Sequence, residues 1–197
     1  MTPLAAALLA GLDDCEAAFD GGERSALGQI RDFVGRSPDA FSRSNAEGHI
    51  TASAVVALPG GSEFLLVWHR KLARWLQPGG HLEPSDGSVF AAALREAREE
   101  TGIADFKFPI GDRILDVDVH LIPAHGPDSA HHHYDIRYLL TVSESLPPLP
   151  KDCALFTFEQ ALAADTDDSL TRALRKATRL LGGQAPAPTT YYPRPTT

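Results

Sequence analysis

The segment from residue 79 to residue 103, GGHLEPSDGSVFAAALREAREETGI, constrains the fold most strongly, because it joins a glycine turn to an acidic amphipathic helix. Apolar residues recur at spacings of one, three and four, which predicts a helix over about 88–101. The members of this apolar stripe are Val89, Phe90, Ala93, Leu94 and Ala97. Glu96, Glu99 and Glu100 stand at i, i+3 and i+4, so their side chains are predicted to share one flank of the helix.

Three carboxylates on one flank favour a divalent-metal site. Like charges at these spacings destabilise a helix by roughly 0.2–0.5 kcal/mol per pair, so a cation is expected between them. Mg²⁺ and Mn²⁺ prefer carboxylate, backbone carbonyl and water oxygens. A solvated acidic face is the alternative interpretation. The metal site is favoured because residues 78–80 (PGG) can turn the backbone toward an ion, and because Arg95 and Arg98 can orient the acids.

The segment resembles the Nudix box, whose pattern is G, five residues, E, seven residues, R-E-U-x-E-E-x-G-U, with U aliphatic. Gly80 stands at the first glycine. The closing half is filled at every fixed position, by Arg95, Glu96, Ala97, Glu99, Glu100, Gly102 and Ile103. Asp86 stands near the first glutamate of the pattern, but eight residues separate it from Arg95. The extra residue is expected in the loop at 86–88, where glycine can absorb it.

The resemblance implies hydrolysis of a pyrophosphate bond in a nucleoside diphosphate linked to another moiety, by a metal-activated water that attacks phosphorus. The cofactor would be Mg²⁺ or Mn²⁺. Glu99 and Glu100 would be metal ligands, the Gly80 carbonyl a further ligand, and Glu96 either a ligand or the base. Arg95 would hold a glutamate through charge-assisted hydrogen bonds. The implied fold, over about 48–165, is an α/β/α sandwich with a mixed sheet.

Many Nudix enzymes use another acid from outside the box. The candidates here are Asp135, in the strand-like run HYDIRYLL, and Glu144 or Asp152 in the loop that follows. Asp135 is preferred because an acid in a mostly apolar run is unusual, although an exposed strand face would also explain it.

Substrate contacts are expected close to the glycine turn. Arg70 belongs to the basic stretch at 69–74 and could meet a phosphate, with a solvated hairpin tip as the alternative. His81 adjoins Gly80, so it could face the substrate or be a hydrogen-bonded loop histidine. Trp75 could stack on a base, although aromatic core packing is the preferred interpretation.

The histidines at 120, 125 and 131–133 were weighed as zinc ligands. Consecutive residues of a strand point to opposite faces and rarely bind one ion together, which disfavours zinc. A surface loop is the preferred interpretation, ahead of a loop histidine that contacts the substrate.

Composition limits the partners. A net charge of −8 argues against polymeric nucleic acid but allows a small phosphorylated substrate, because metal ions can supply positive charge locally. Cys15 and Cys153 are too few for a disulfide framework or a zinc site. The N-terminal apolar run lacks a basic leader, and no stretch reaches membrane-spanning length. The expected protein is therefore cytoplasmic and has no membrane partner.

The pattern divides the chain into an N-terminal helical extension (1–47), a Nudix-like domain (48–182) and a proline-rich tail (183–197) that is expected to be flexible. The extension carries two amphipathic patterns, over about 3–19 and 23–35. It is expected to pack against the domain or a second subunit, so a homodimer is one of the two alternatives. Within the domain, alternating or apolar runs predict a hairpin and two further strands, and the last part predicts two helices, at 158–164 and 169–181.

Two other functions remain open. A non-catalytic nucleotide-binding sensor would use the same fold without hydrolysis, and a prenyl diphosphate isomerase would need a cysteine in the site. Only Cys153 is late enough in the chain to be considered for that role.

Overall fold

A computed structural model describes residues 1–70, 72–124, 126, 129–142, 146–164 and 166–182. Within these residues the chain forms one mixed sheet of seven strands, together with five α-helices. The helices are α1 (Pro3–Cys15), α2 (Gly21–Arg36), α3 (Val89–Thr101), α4 (Phe158–Ala163) and α5 (Asp168–Leu180). The strands are β1 (Gly48–Ala57), β2 (Glu63–His69), β3 (Arg74–Leu76), β4 (Gly79–His81), β5 (Ile114–Ile122), β6 (His131–Thr141) and β7 (Cys153–Thr157).

Strand β1 is the centre of the sheet, whose main order is β3-β2-β1-β6-β5. One edge of β1 pairs in parallel with β6 along its whole length, from Gly48↔His132 to Ala57↔Thr141. The other edge pairs antiparallel with β2 near its end and with β4 near its middle, while β7 pairs with β2. The short strand β4 therefore brings the glycine turn directly beside the centre of the sheet.

The N-terminal helices pack on one face of this sheet. Asp20 caps α2 by accepting hydrogen bonds from the backbone of Gly22 and Glu23. Gly21 and Gly22 therefore belong to the first turn of α2. Phe33 of α2 stacks on Tyr134 of β6, with 4.1 Å between ring centroids. The expectation that the extension packs against the domain is confirmed.

Helices α4 and α5 cover the other face. Leu174 of α5 is buried with Val55 of β1 and Leu139 of β6, and Asp167 caps α5 by accepting a hydrogen bond from the backbone of Leu170. With α1, α2 and α3 on the opposite face, the sheet lies between two helical layers. This is the predicted α/β/α sandwich with a mixed sheet.

The sequence predicted β1, β2, β5 and β6 but not the short strands β3 and β4 or the strand β7. Strands of three residues carry too little alternation to be recognised, and β4 is mostly glycine. The division of the chain at residues 47 and 182 stays a prediction, and the tail lies outside the described residues. No helix in the described part of the chain combines the length and apolar character needed to cross a membrane.

Candidate active site

Helix α3 is fixed against the sheet by its small apolar residues. Ala92, Ala93 and Ala97 are fully buried. Ser88 caps the first turn through a 3.0 Å hydrogen bond to the backbone N–H of Ala91. Gly102 adopts the left-handed conformation (φ 70°) that ends the helix, as expected of a glycine at this position. These constraints set the rotation of α3, and with it the direction of the glutamates on its flank.

Neither glycine of strand β4 has room for a side chain unless a neighbouring group moves. A Cβ atom at Gly80 would lie 2.7 Å from Cδ and Oε1 of Glu96. The backbone N–H of Gly79 donates a 3.0 Å hydrogen bond to Oε2 of Glu100. A Cβ at Gly79 would instead lie 2.3 Å from Cβ of Ser53 on β1. The two glycines are thus required for different contacts, one with the glutamates and one with the sheet.

The guanidinium of Arg95 joins the two halves of the box. Its Nη1 donates to Glu96 (2.9 Å) and Glu99 (3.2 Å). Its Nη2 donates to the backbone carbonyl of His81 at 2.8 Å. Asp86 accepts from both Nε (3.2 Å) and Nη2 (2.9 Å) in a bidentate pair. The residue inserted after Asp86 therefore does not separate it from the site, because the loop lets its carboxylate reach Arg95.

Burial and ion pairing set the charges of these acids. Burial raises the pKa of Glu96, against the opposing effect of Arg95, and burial also raises the pKa of Glu100. For Asp86, burial alone would raise the pKa, but the hydrogen bonds from Arg95 and the backbone of Glu83 lower it overall. Asp86 therefore carries its negative charge beside Arg95, whereas burial disfavours the charged forms of Glu96 and Glu100.

The donor set fits a hard divalent cation. Glu96, Glu99 and Glu100 supply carboxylate oxygens, and Gly80 lies directly against Glu96. The side chain of Glu99 is 57% exposed, so an ion can reach it from solvent. Burial disfavours the charged forms of Glu96 and Glu100, and a bound cation would offset that cost. These four residues are those that could hold Mg²⁺ or Mn²⁺.

Asp135 pairs in register with Thr51, so its side chain lies on the sheet face that carries Ser53. Gly80 meets Glu96 on the opposite face. Its carboxylate is 3% exposed and accepts hydrogen bonds from four side chains. The donors are Thr51 (3.0 Å), Ser53 (2.8 Å), Gln77 (3.2 Å) and Arg137 (3.0 Å). The role of Asp135 as the acid outside the box stays a prediction, and its contacts are those of a buried network.

The other sequence-predicted residues lie in different surroundings. Arg70 pairs with Asp152 at 2.6 Å, and both side chains are substantially exposed. Trp75 packs beside Trp68 and Phe156, with ring centroids 5.5 and 5.0 Å away. These contacts favour core packing for Trp75 over stacking on a base. Glu144 lies outside the described residues.

The surface-loop interpretation of the histidines is wrong for residues 131–133, because β6 begins at His131. The ring of His133 lies 5.3 Å from that of His81 and 4.8 Å from that of His49. His49 was not singled out in the sequence, since only the pairing of β1 with β6 brings it beside His133. His125 lies outside the described residues.

A buried ion network beside Asp135 was not predicted from the sequence. Arg137 is 1% exposed and contacts Asp116, which is fully buried. Arg172 of α5 completes it with hydrogen bonds of 2.8 and 2.9 Å to Asp116. The signal in the sequence was an arginine and an aspartate within largely apolar strands. Arginine and aspartate are seldom buried unless they are paired.

Comparison with known proteins agrees with this architecture. The family model of the NUDIX domain matches residues 48–177. Among solved structures, a C. elegans Ap4A hydrolase is 21% identical with a TM-score of 0.51, covering 67% of this chain and 97% of its own. An E. coli dihydroneopterin triphosphate pyrophosphohydrolase is 14% identical with a TM-score of 0.50, covering 66% of this chain and 94% of its own. No curated protein matches the chain in sequence. Because the family match spans more than half of its length, the chain belongs to the Nudix family.

Proposed function

We propose that the chain hydrolyses a pyrophosphate bond in a nucleoside diphosphate linked to another moiety, with Mg²⁺ or Mn²⁺ as cofactor. As a Nudix-family protein it is a hydrolase that acts on acid anhydrides. The observation that carries the finer proposal is the convergence of Glu96, Glu100 and the β4 backbone, where the two partly buried carboxylates lie beside the glycine turn.

The roles of the side chains follow from their surroundings. Glu99, Glu100 and the Gly80 carbonyl are proposed to hold the ion. When bound, such an ion offsets charge on the phosphate oxygens and lowers the pKa of the attacking water. Glu96 is either a further ligand or the base, and its burial, which raises its pKa, makes it a better proton acceptor than an exposed glutamate.

Arg95 is proposed to position the carboxylates. It donates to Glu96 and Glu99 while Asp86 and the His81 carbonyl fix its guanidinium from the other side. This arrangement limits the rotation of both glutamates, as supporting hydrogen bonds do around metal ligands.

The substrate is proposed to be a small nucleotide derivative. The C. elegans relative is an Ap4A hydrolase and the E. coli relative a dihydroneopterin triphosphate pyrophosphohydrolase. With a net charge of −8, the chain is expected to act on a small phosphorylated molecule and not on polymeric nucleic acid.

The direct test is a panel of nucleoside diphosphate derivatives and nucleoside triphosphates, incubated with Mg²⁺ or Mn²⁺ in ¹⁸O-labelled water and read by phosphorus NMR. We expect cleavage of an anhydride bond, with the label on one phosphorus of one product. If the panel shows binding without hydrolysis, the non-catalytic sensor would replace this proposal.

Cys153 does not favour the isomerase alternative. Its Sγ donates to the backbone carbonyl of Glu100 at 3.1 Å. Burial raises the pKa of its thiol, and the negative charges of Glu100 and Asp152 raise it further. The thiol therefore stays protonated at neutral pH.

A further inference from the structure

A cluster of imidazole rings lies where strands β1 and β6 begin, on the sheet face away from the glutamates. Ring centroids of neighbouring histidines are 4.7–5.6 Å apart. The members are His49 on β1, His81 on β4, His120 on β5, and His131 and His133 on β6. Strand pairing gathers these rings from four strands, so the cluster belongs to the folded sheet and not to any local sequence motif.

Register explains why three of these rings face each other. His49 is paired with His133 across the parallel β1–β6 ladder. His131 stands two residues before His133, so its side chain is on the same face of β6. His132, between them, points to the opposite face, where its ring lies near that of Tyr134. The ligand nitrogens of His49, His131 and His133 all lie within 4.8 Å of one another.

Three ring nitrogens of this trio, on His49 and His133, lack the partners that buried imidazoles normally have. His49 is 2% exposed, and neither Nδ1 nor Nε2 has a hydrogen-bond partner. The backbone of Asn45 lies close enough to the ring to oppose the lowering of its pKa. Nε2 of His133 is likewise buried without a partner. Buried polar atoms are satisfied in most proteins, so unpartnered nitrogens aimed at one another point to a missing ligand.

The hydrogen bonding of His131 also suits a metal ligand. Its Nδ1 lies 2.8 Å from the backbone carbonyl of Ser129. A carbonyl can only accept, so Nδ1 carries the proton and Nε2 keeps its lone pair. Metal-binding histidines are oriented in this way by a backbone carbonyl on the other ring nitrogen.

We infer that His49, His131 and His133 bind a divalent transition-metal ion of the Zn²⁺ type, at a site separate from the glutamates of α3. Three imidazoles suit Zn²⁺ and other late transition metals, whereas Mg²⁺ prefers oxygen ligands. In tetrahedral Zn²⁺ sites the nitrogens lie about 3.3 Å apart, given Zn–N distances of about 2.0–2.1 Å. The three nitrogens, which lie within 4.8 Å of one another, would have to approach by up to about 1.5 Å to close on an ion.

Access and charge are compatible with metal uptake. His131 and His133 are only partly buried, so an ion can reach the trio from solvent. Burial lowers the pKa of His49 to about 4, which keeps the ring neutral at pH 7, as a ligand must be. Three protein ligands leave a fourth position open for water or a substrate group.

The surrounding histidines complete the cluster without joining the trio. Nδ1 of His120 lies 2.9 Å from Oδ2 of Asp118, which is itself 3.7 Å from Arg137. The ring of His81 lies 4.7 Å from that of His49, and the residue directly follows Gly80 of the proposed catalytic site. His81 therefore lies between the inferred metal site and the glycine turn, although the ligands of the two sites differ.

The test uses the full-length protein, made without a polyhistidine tag and stripped of metal with a chelator. Calorimetric titration with Zn²⁺ is expected to give one tight site per chain. X-ray absorption of the zinc-loaded protein should show imidazole nitrogens at about 2.0–2.1 Å. His133→Gln should weaken Zn²⁺ binding by at least about 100-fold, because a ligand is lost outright.

His132→Gln is the matched control, since it removes a neighbouring histidine on the opposite face and should leave Zn²⁺ affinity unchanged. The inference is overturned if wild type binds Zn²⁺ no more tightly than His133→Gln, or if His132→Gln loses the same affinity. Should His133→Gln fail to fold by circular dichroism, the absorption spectrum of wild type decides: a shell of oxygens alone refutes the imidazole site. None of these readouts depends on hydrolysis, so they are independent of the proposed function.

Discussion

Replacing each of the two adjacent glycines of β4 with alanine should separate damage to the active site from damage to the fold. In Gly80→Ala the new Cβ would lie 2.7 Å from the carboxylate of Glu96, where ordinary contacts are 3.4 Å or more. The obstructing atoms are at the end of a flexible side chain. We therefore expect Glu96 to move by about 0.7 Å while the strand stays in place.

A displacement of this size should affect catalysis far more than stability. Misplacement of a reacting group by about 1 Å can lower the rate roughly 100-fold, so we expect kcat/KM of Gly80→Ala to fall roughly 30- to 100-fold. The free energy of unfolding should fall by no more than about 1 kcal/mol, which corresponds to about 2–4 °C in Tm for a chain of this size.

Gly79→Ala should behave in the opposite way. Its Cβ would lie 2.3 Å from Cβ and 2.7 Å from Cα of Ser53, and 2.8 Å from the carbonyl oxygen of Ala52. Backbone atoms of β1 cannot move as freely as a side chain, so β4 must separate from the sheet. We expect a loss near the upper end of the usual range for overpacking, about 3 kcal/mol, or about 6–12 °C in Tm.

The assay pairs thermal unfolding by circular dichroism with the rate of hydrolysis of the best substrate from the nucleotide panel. Wild type and both variants are compared under saturating Mg²⁺. The reasoning is refuted if Gly80→Ala keeps the wild-type kcat/KM, or if Gly79→Ala is as stable as Gly80→Ala.

Three further substitutions test the charged contacts. Asp86→Asn should lower the free energy of unfolding by about 1–3 kcal/mol and slow turnover, because asparagine keeps only one of the two oxygens that accept from Arg95 and loses the charge. Unchanged urea denaturation and activity would contradict this. Lys176→Met should destabilise the fold by about 3–5 kcal/mol in urea denaturation, because the buried Glu23 would lose its ion-pair partner. A loss below about 1 kcal/mol would show that this pair does not hold α2 to α5. Arg137→Met should cost about 3 kcal/mol in the same assay, since it leaves the buried Asp135 without a cationic partner and Asp116 with Arg172 alone; an unchanged midpoint would disprove the network.

The sequence was most informative where chemistry and periodicity coincide in one element. The apolar stripe of α3 predicts its rotation, and the same rotation gathers Glu96, Glu99 and Glu100 on one flank. Local signals of this kind need no knowledge of the rest of the fold, because residues three and four apart on a helix are always neighbours.

Contacts that depend on strand pairing could not be predicted in the same way. His49 lies far from His133 in the sequence, and only the parallel register brings their rings together. Asp135 was recognised as an unusual acid, but its four hydrogen-bond donors come from β1, β6 and the segment before β4. Such networks require the register of each strand, which alternation alone does not fix.

The one-residue insertion after Asp86 illustrates a different limit. Spacing suggested that the first half of the box departs from the pattern, and this left the role of Asp86 undecided. The loop absorbs the extra residue, and Asp86 forms the bidentate pair with Arg95. Counting residues across a loop therefore says less about geometry than counting them along a helix, because a loop can change its path to conserve a contact.

The turnover number of Glu100→Gln tests the central claim most directly. Glutamine keeps an oxygen that can accept the hydrogen bond from the Gly79 backbone, so the fold should be unchanged by circular dichroism, while the metal loses a charged ligand. Glu159→Gln, at an exposed position on α4, is the matched control and should keep wild-type activity. We predict that Glu100→Gln lowers Mg²⁺-dependent turnover by at least about 100-fold. Wild-type turnover in a folded Glu100→Gln protein would contradict the assignment of the catalytic metal site to helix α3.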